Sequence, residues 1–344
     1  MDLGVILGTW NGSRKDADEI LATVQEAERL GYSIAWVPEL YGADAPTVMS
    51  WLAANTSTIR IGSAVMQIPA RSATTTAMTA ATLVALYGDR IVLGLGVSGP
   101  QVSEGWYGIP WQDPHGRARE YIEVVRLAMS RERVRYDGKH LKLPGRQDYR
   151  PIKLVLRNEV HVPILLAAMG PRNIRLAAQI CDGWLPAIVL PERFGPIRER
   201  FTSALEAAGR KRDEVVIAAS TGAVINDDLE IARNVYRPYI TLLIGGMGTR
   251  EQNFYRDLVT EYGYGEIAQE ITELYLAGRV KEAEALTPAE LIDGIGLVGD
   301  EARVAQRLAA YRAAGIDIFS IAPSGRTVEE KLGTLRAVAS AAGL

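Results

Sequence analysis

Eight short apolar runs, each followed by a longer stretch of helical period, set the tightest limit on what this chain can become. They are Leu3 to Leu7, Ser33 to Pro38, Arg60 to Val65, Arg90 to Gly96, Val162 to Ala167, Gly183 to Ile188, Val215 to Val224 and Asp317 to Ala322. Runs of this kind fit strands buried on both faces, and their alternation with helices gives parallel βα units. Eight units in 344 residues predict a (β/α)8 barrel of the TIM type, with an open doubly wound sheet as the runner-up. Two long insertions break the rhythm, roughly 98 to 161 after the fourth strand and 226 to 299 between the seventh and eighth. With no low-complexity linker and no shift in composition, residues 1 to 344 read as a single domain.

Helix boundaries are legible in several places. Asp16, with Glu19 three residues on, opens an amphipathic stretch that Gly31 ends, and Gly315 ends another before the eighth strand. A helix is expected from about Gly116 to Arg131. Thr287, Pro288 and Glu290 look like a cap, a first-turn proline and a capping-box acid, and Thr327 with Glu330 repeats the box.

Composition removes several classes of function. Lys plus Arg is 38 against 41 for Asp plus Glu, a net charge of −3, which offers no field to attract nucleic acid or an anionic membrane surface. The lone Cys181 cannot form an internal disulfide, and His115, His140 and His161 have no metal-ligand spacing, so no metal site is expected. No window reaches the ~18 apolar residues of a membrane span and no basic leader precedes an apolar stretch, which predicts a cytoplasmic protein.

In such a barrel, chemistry gathers where strands end at one rim. That nominates Gly8, Thr9 and Trp10; Glu39 and Tyr41; Gln67 and Arg71; Ser98, Gln101 and Glu104; and Met169 to Asn173. The glycines of Leu-Gly-Leu-Gly-Val-Ser-Gly, Gly94, Gly96 and Gly99, match a dinucleotide fingerprint, but Pro100 and the loop Gly105-Trp-Tyr-Gly-Ile-Pro110 follow where a helix should open. Their alternative use is to let the backbone pass close to something flat and bulky. At His161-Val-Pro-Ile-Leu-Leu-Ala-Ala-Met-Gly170-Pro-Arg-Asn173 a buried strand runs into a helix start, whose unpaired N–H groups, with Arg172 and Asn173, suit a phosphate.

Glu39 closes an apolar strand at the rim, either as a functional donor and acceptor or as a solvated loop charge. Trp10, Tyr41, Trp106 and Tyr107 could wall an apolar pocket or simply fill the core. His115 is either a proton donor near the rim or a helix-start surface histidine. Because no G-x-S-x-G, Walker lysine, Cys/His or H-E-x-x-H pattern occurs, hydrolytic and metal chemistry lose their usual carriers.

These residues resemble a known family. The run Gly62-Ser-Ala-Val-Met-Gln-Ile-Pro-Ala-Arg71, the run Asp89-Arg-Ile-Val-Leu-Gly-Leu-Gly-Val-Ser-Gly-Pro-Gln-Val-Ser-Glu-Gly-Trp-Tyr-Gly108, Ala167-Ala-Met-Gly-Pro-Arg-Asn173 and Ile180-Cys-Asp-Gly-Trp-Leu-Pro186 are similar, in order, to the bacterial-luciferase-like barrels. They resemble most its deazaflavin branch, which uses coenzyme F420 and includes methylene-tetrahydromethanopterin reductase. The resemblance implies that Glu39 matches an acid, usually Asp, that touches the deazaflavin ring. It implies a non-proline cis peptide at Ala64 and Val65 backing the ring, with Gln67, Ser98 and Gln101 around it. Ala167, Ala168, Met169, Gly170, Pro171, Arg172 and Asn173 would cradle the phosphate of the tail. In the sugar-phosphate dehydrogenases of this branch a His follows the second-strand acid and a Glu follows the fourth strand; here they are Leu40 and Gln101, which makes that substrate class doubtful.

The expectation is therefore an F420-dependent oxidoreductase passing hydride between the cofactor and a small organic substrate, by reducing a C=C or C=O bond. Glu39, Trp10, Tyr107 and His115 are the candidate catalytic residues, and the proton is left open between Glu39, a tyrosine, His115 and water. An FMN-dependent monooxygenase and a non-catalytic cofactor-binding barrel are the alternatives. A homodimer is implied by the resemblance alone.

Overall fold

The computed structural model describes residues 1–10, 12–156 and 160–344. Eight parallel strands form a closed barrel: β1 (Asp2–Ile6), β2 (Ile34–Val37), β3 (Arg60–Ser63), β4 (Ile91–Gly96), β5 (Ile164–Ala167), β6 (Gly183–Leu185), β7 (Val216–Ile225) and β8 (Ile318–Pro323). Each pairs with the next in sequence, and β8 pairs back onto β1. All eight expected strands are present, and the open sheet is excluded by the β8 to β1 pairing.

Two apolar clusters explain why the barrel closes. Inside it, Ile34, Trp36, Val92, Leu165, Ala218 and Ile318 pack together, with Ile6, Ala64, Leu185 and Val216 against them. Trp36 is accommodated by a missing side chain, since a Cβ on Gly62 would lie 2.5 Å from its ring. Its indole N–H donates to Ser320 Oγ at 2.9 Å, which satisfies the one polar atom it buries. The interior is thus filled by side chains, as this fold requires. The second and larger cluster lies between the strands and the helices around them.

Helices α1 (Arg14–Arg29), α2 (Ala45–Ala54) and α3 (Ala73–Tyr87) follow the first three strands. The first begins earlier than its sequence signal suggested: Ser13 is the cap, its side chain accepting from Asp16 N, and Asp16 sits one turn inside. Gly31 and Gly315 do take left-handed conformations, at φ +86 and +84. Thr287 does not cap the helix after it. That helix spans Ala289–Ile295 with Pro288 at its start, while the Thr287 hydroxyl donates to Ala283 O at 3.1 Å. The Thr327 and Glu330 box is formed in full at the final helix, Val328–Ala342.

The first insertion carries α4 (Pro100–Gly105), α5 (Pro114–Met129) and a small antiparallel hairpin, Tyr136–Asp137 with Lys142–Leu143. Buried Glu120 on α5 ties the hairpin down by accepting the N–H groups of Lys139, His140 and Leu141, each at 2.8 Å. Asp113 caps α5 through Gly116 N at 3.2 Å and also accepts from His140 Nε2 at 3.0 Å, so α5 starts at Pro114 and not Gly116. Next come α6 (Pro171–Ile180), α7 (Gly195–Ala207) and, opening the second insertion, α8 (Leu229–Gly246), followed by shorter helices between 254 and 295. Among the described residues, no helix is long and apolar enough to cross a membrane.

Candidate active site

The rim is shaped by an irregularity in β3. Gly62 pairs with Val92 and Met66 with Leu95, so four steps along one strand face three along the other. That extra residue is a bulge, and within it the Ala64–Val65 peptide is cis. Ser63 bridges the interrupted ladder, its hydroxyl donating to Gly94 O at 2.8 Å and accepting from Gly94 N at 3.0 Å. The bulge also explains the glycines of β4. A Cβ on Gly94 would stand 1.9 Å from Ser63 O, and one on Gly96 would stand 2.5 Å from Val65 Cγ2. What these glycines admit is the protein's own bulge, a correction to the expectation of a flat ligand beside them. A six-residue helix, α4, does open directly after Gly99, where the sequence had suggested a loop.

Glu39, just past β2, is buried to 5% exposure and surrounded by donors. Oε1 accepts from Arg71 Nη2 at 2.7 Å and from Ala45 N at 3.1 Å. Oε2 accepts from Arg71 Nη1 at 2.8 Å and from Gln67 N at 3.0 Å. A carboxylate has about four lone-pair sites, and all four are taken. Arg71 also donates to Asp44 Oδ1 at 2.8 Å, and Asp44 in turn caps α2 through Thr47 N at 3.0 Å. Glu39 therefore locks the bulge strand, the start of α2 and Arg71 into one unit. Sequence reasoning gave Arg71 only a place at the rim and overlooked Asp44, although an Asp two residues before Pro46 is a readable helix start.

Gln67 completes the cluster. Its backbone N–H goes to Glu39, and its Nε2 donates to the Glu39 carbonyl at 2.8 Å. Its Oε1 is buried and has no hydrogen-bond partner among the described residues.

Across the mouth, the end of β5 leads into α6 through Gly170, which has no capping side chain and open space where a Cβ would be. Trp184 fixes the approach by donating its indole N–H to Ala168 O at 2.8 Å, and Ala168 N donates to Leu185 O at 3.2 Å. Asp182 fixes the other end of β5, accepting from Ile164 N and Arg126 Nη2, each at 2.8 Å. Arg172 is exposed and Asn173 buried. The Asn173 Oδ1 lies 2.6 Å from His115 Nδ1, which joins the first turns of α5 and α6. His115 is half-buried and sits with the start of α6, one of its ring nitrogens taken up by Asn173.

The aromatic wall is only partly realised. Trp10 is half-buried and donates its indole N–H to Ser13 O at 2.8 Å. Tyr41 and Trp106 meet at 6.3 Å between centroids with their rings tilted by 57°, but they are 64% and 63% exposed, so they flank the mouth and do not line a closed pocket. Tyr107 is half-buried, and burial, with the Glu39 charge, pushes its hydroxyl above the usual tyrosine range. Ser98 is half-buried with a left-handed backbone at φ +66, while Gln101 points to solvent. Two shallow grooves lie outside the mouth: one of about 420 Å³ between α6 and α7, and one of about 710 Å³ between α2 and α3. Among the described residues, no group of three or more His, Cys, Asp or Glu side chains is placed to hold a metal ion.

A filled barrel with an open rim, a cis bulge on one side and an uncapped helix start on the other defines the class, and comparison with known proteins agrees. Residues 1–317 match the model of the luciferase-like monooxygenase family, and the chain belongs to that family. A Mycobacterium tuberculosis protein, provisionally named a coenzyme F420-dependent oxidoreductase, is 38% identical over 333 residues, covering 93% of this chain and 94% of the relative. The 5,10-methylenetetrahydromethanopterin reductase of Archaeoglobus fulgidus is 26% identical, covering 85% and 86%. Among solved structures, the F420-dependent tetrahydromethanopterin reductase of Methanopyrus kandleri superposes with a TM-score of 0.78 at 23% identity, covering 98% of this chain and 97% of that one. An F420-dependent secondary alcohol dehydrogenase gives 0.79 at 17% identity, covering 99% and 98%; at these identities the likeness is one of fold.

Proposed function

We propose that this protein is a coenzyme F420-dependent oxidoreductase that passes hydride between the deazaflavin and a small organic substrate, reducing a C=C or C=O bond. The observation that carries the reading is the 38% identity, over nearly the full length of both chains, to a relative named for that cofactor. The residues present fit the group. A buried acceptor on Gln67 lacks a partner, and the open space at Gly170 before an exposed Arg172 suits a phosphate.

In this reading the bound deazaflavin supplies the hydride, and the chain supplies position and exclusion of water. The bulge at Ala64 and Val65 backs the ring, and Gln67 and Ser98 meet its polar edge. Ala167 to Asn173 hold the tail phosphate, with His115 steadying Asn173. Glu39 holds the bulge and Gln67 in place; with all four of its acceptor sites taken by Arg71, Ala45 and Gln67 it presents no free oxygen to a substrate, which leaves Tyr107, His115 or water as the proton source. Tyr107 remains protonated through neutral pH because its hydroxyl titrates above the usual range.

Titration with F420, followed by its fluorescence, tests the reading. Binding tighter than roughly 100 μM is expected, and no binding at that level removes the proposal. Retention of FMN instead, with consumption of oxygen, would assign the monooxygenase chemistry. The groove between α2 and α3, with Met78 55% and Leu86 63% exposed beside it, supports a homodimer formed through these helices.

A further inference from the structure

Two connections at the rim hold large apolar side chains out to water on pinned backbone. The first, residues 38–44 between β2 and α2, is fastened at both ends by one guanidinium, since Arg71 Nη2 donates to Glu39 Oε1 at 2.7 Å and to Asp44 Oδ1 at 2.8 Å. Between those two anchors Leu40 and Tyr41 stand exposed. The second, residues 97–113 between β4 and α5, carries exposed Trp106 at the end of α4. Buried Ser103 staples it, donating its hydroxyl to Ile109 O and accepting the Ile109 N–H at its carbonyl, both at 2.8 Å. Glu104 Oε1 accepts from Trp111 N at 2.8 Å. Tyr41 and Trp106 then meet from the two sides. A single exposed aromatic needs no explanation, but apolar side chains gathered from two fastened connections form a contact surface. With the backbone fixed and two torsions per ring, such a surface loses little entropy when something binds.

Charge decides what that surface accepts. Residues 38–44 and 97–113 contain four acids, Glu39, Asp44, Glu104 and Asp113, and no Lys, Arg or His. Three of the four are already spent, Glu39 and Asp44 on Arg71 and Asp113 on Lys139. Neither connection therefore brings a positive charge of its own to a carboxylate or phosphate, and the paired acids leave little to hold a cation. Exposed Arg172 belongs to the other side of the mouth, at the start of α6. An anion settling on the aromatic side would give up hydration for no counter-charge and would face Glu104. We propose that Tyr41 and Trp106 are specificity-determining residues that seat an uncharged, ring-bearing carbonyl or enone compound and turn away carboxylated or phosphorylated ones. As a statement about the substrate this rests on the F420 reading above; the surface and its preference stand on their own.

The test uses two probes that share one ring frame and differ by a negative charge, N-phenyl-1-naphthylamine and its 8-sulfonate, both of which fluoresce on leaving water. The full-length protein is titrated with each. Wild type is expected to bind the uncharged probe about 10-fold or more tightly than the sulfonate, and Trp106→Ala and Tyr41→Ala each to weaken the uncharged probe by about 5- to 10-fold. Trp106→Phe should stay within about 3-fold of wild type. Gln101→Lys, which places a cation on α4, should raise the affinity for the sulfonate by about 5-fold and leave the uncharged probe within about 2-fold. Equal binding of the two probes by wild type overturns the proposal. So does undiminished binding in both alanine variants, which would seat the probe in another groove, or a sulfonate affinity unmoved by Gln101→Lys. The F420 titration is read separately: probe discrimination without F420 binding removes the redox reading and keeps the surface, whereas F420 binding without discrimination removes this inference alone.

Discussion

Arg71 lays its two terminal nitrogens against the two carboxylate oxygens of Glu39, at 2.8 and 2.7 Å, with the side chains 14% and 4% exposed. Such a fork fixes geometry as well as charge. It makes Glu39, one of the candidates for the proton in the sequence, a fastening of the rim. Removing one member strands the other's charge away from water. Arg71→Met is expected to lower stability by about 3–5 kcal/mol in urea denaturation. The double replacement Glu39→Leu with Arg71→Met should recover part of that loss, and a double variant as unstable as the sum of the singles would contradict it.

Gly94 and Gly99 are three and eight residues beyond Ile91, yet only the first is closed in. A Cβ at Gly94 meets the Ser63 carbonyl at 1.9 Å, whereas at Gly99 nothing lies within 4 Å. Gly94→Ala should therefore destabilise the barrel by ~2 kcal/mol or more, and Gly99→Ala should stay within about 0.5 kcal/mol of wild type. Thermal melts of the two variants make the comparison, and equal melting temperatures would refute it.

The His115 to Asn173 contact predicts an effect confined to the phosphate. His115→Ala should weaken binding of a phosphate-bearing deazaflavin by about 5- to 10-fold, since Asn173 loses the group that orients it. Binding of the dephosphorylated compound should be unchanged. A similar loss for both would place His115 elsewhere in the ligand's surroundings.

If α2 and α3 form the interface between copies, charges on their exposed apolar positions should separate them. Met78→Lys combined with Leu86→Glu is predicted to shift the mass by light scattering from two chains to one, with the circular dichroism unchanged. A wild type that runs as a single chain at micromolar concentration would end the idea.

Acid should loosen the junction of the first and last helices. The Arg29 bond is the chief reason, aided by Arg336, that Glu26 is held down to about 2 from an ordinary 4.5. Because the folded value is the lower one, the contribution is complete above about 4.5 and disappears as the pH falls toward 2. The partners are 62% and 45% exposed, so solvent screening limits it to ~1 kcal/mol. Glu26→Gln should thus be less stable than wild type at pH 7 and indistinguishable near pH 2; a constant gap across the range would be the contrary result.

The barrel was readable because its strands are local: each is a short apolar run, and eight of them with intervening helices admit few closed arrangements. The helix start at Thr327 was readable for the same reason, since both partners of the box lie three residues apart. Ser13 was missed because a nearby acid at Asp16 imitated a cap, and Thr287 because a hydroxyl beside a proline has a second use within the preceding helix. The site followed another rule. Sequence alone determined which residues reach the rim, among them Glu39, Gln67 and Gly170, because strand ends and helix starts are set by neighbours along the chain. Only the folded protein decided what those side chains are free to do. Arg71 reaches Glu39 across 32 residues of sequence, and His115 reaches Asn173 across 58. Hydrogen-bond saturation is a property of what surrounds an atom in space, and it left Glu39 with no lone pair to offer and Gln67 Oε1 without a partner.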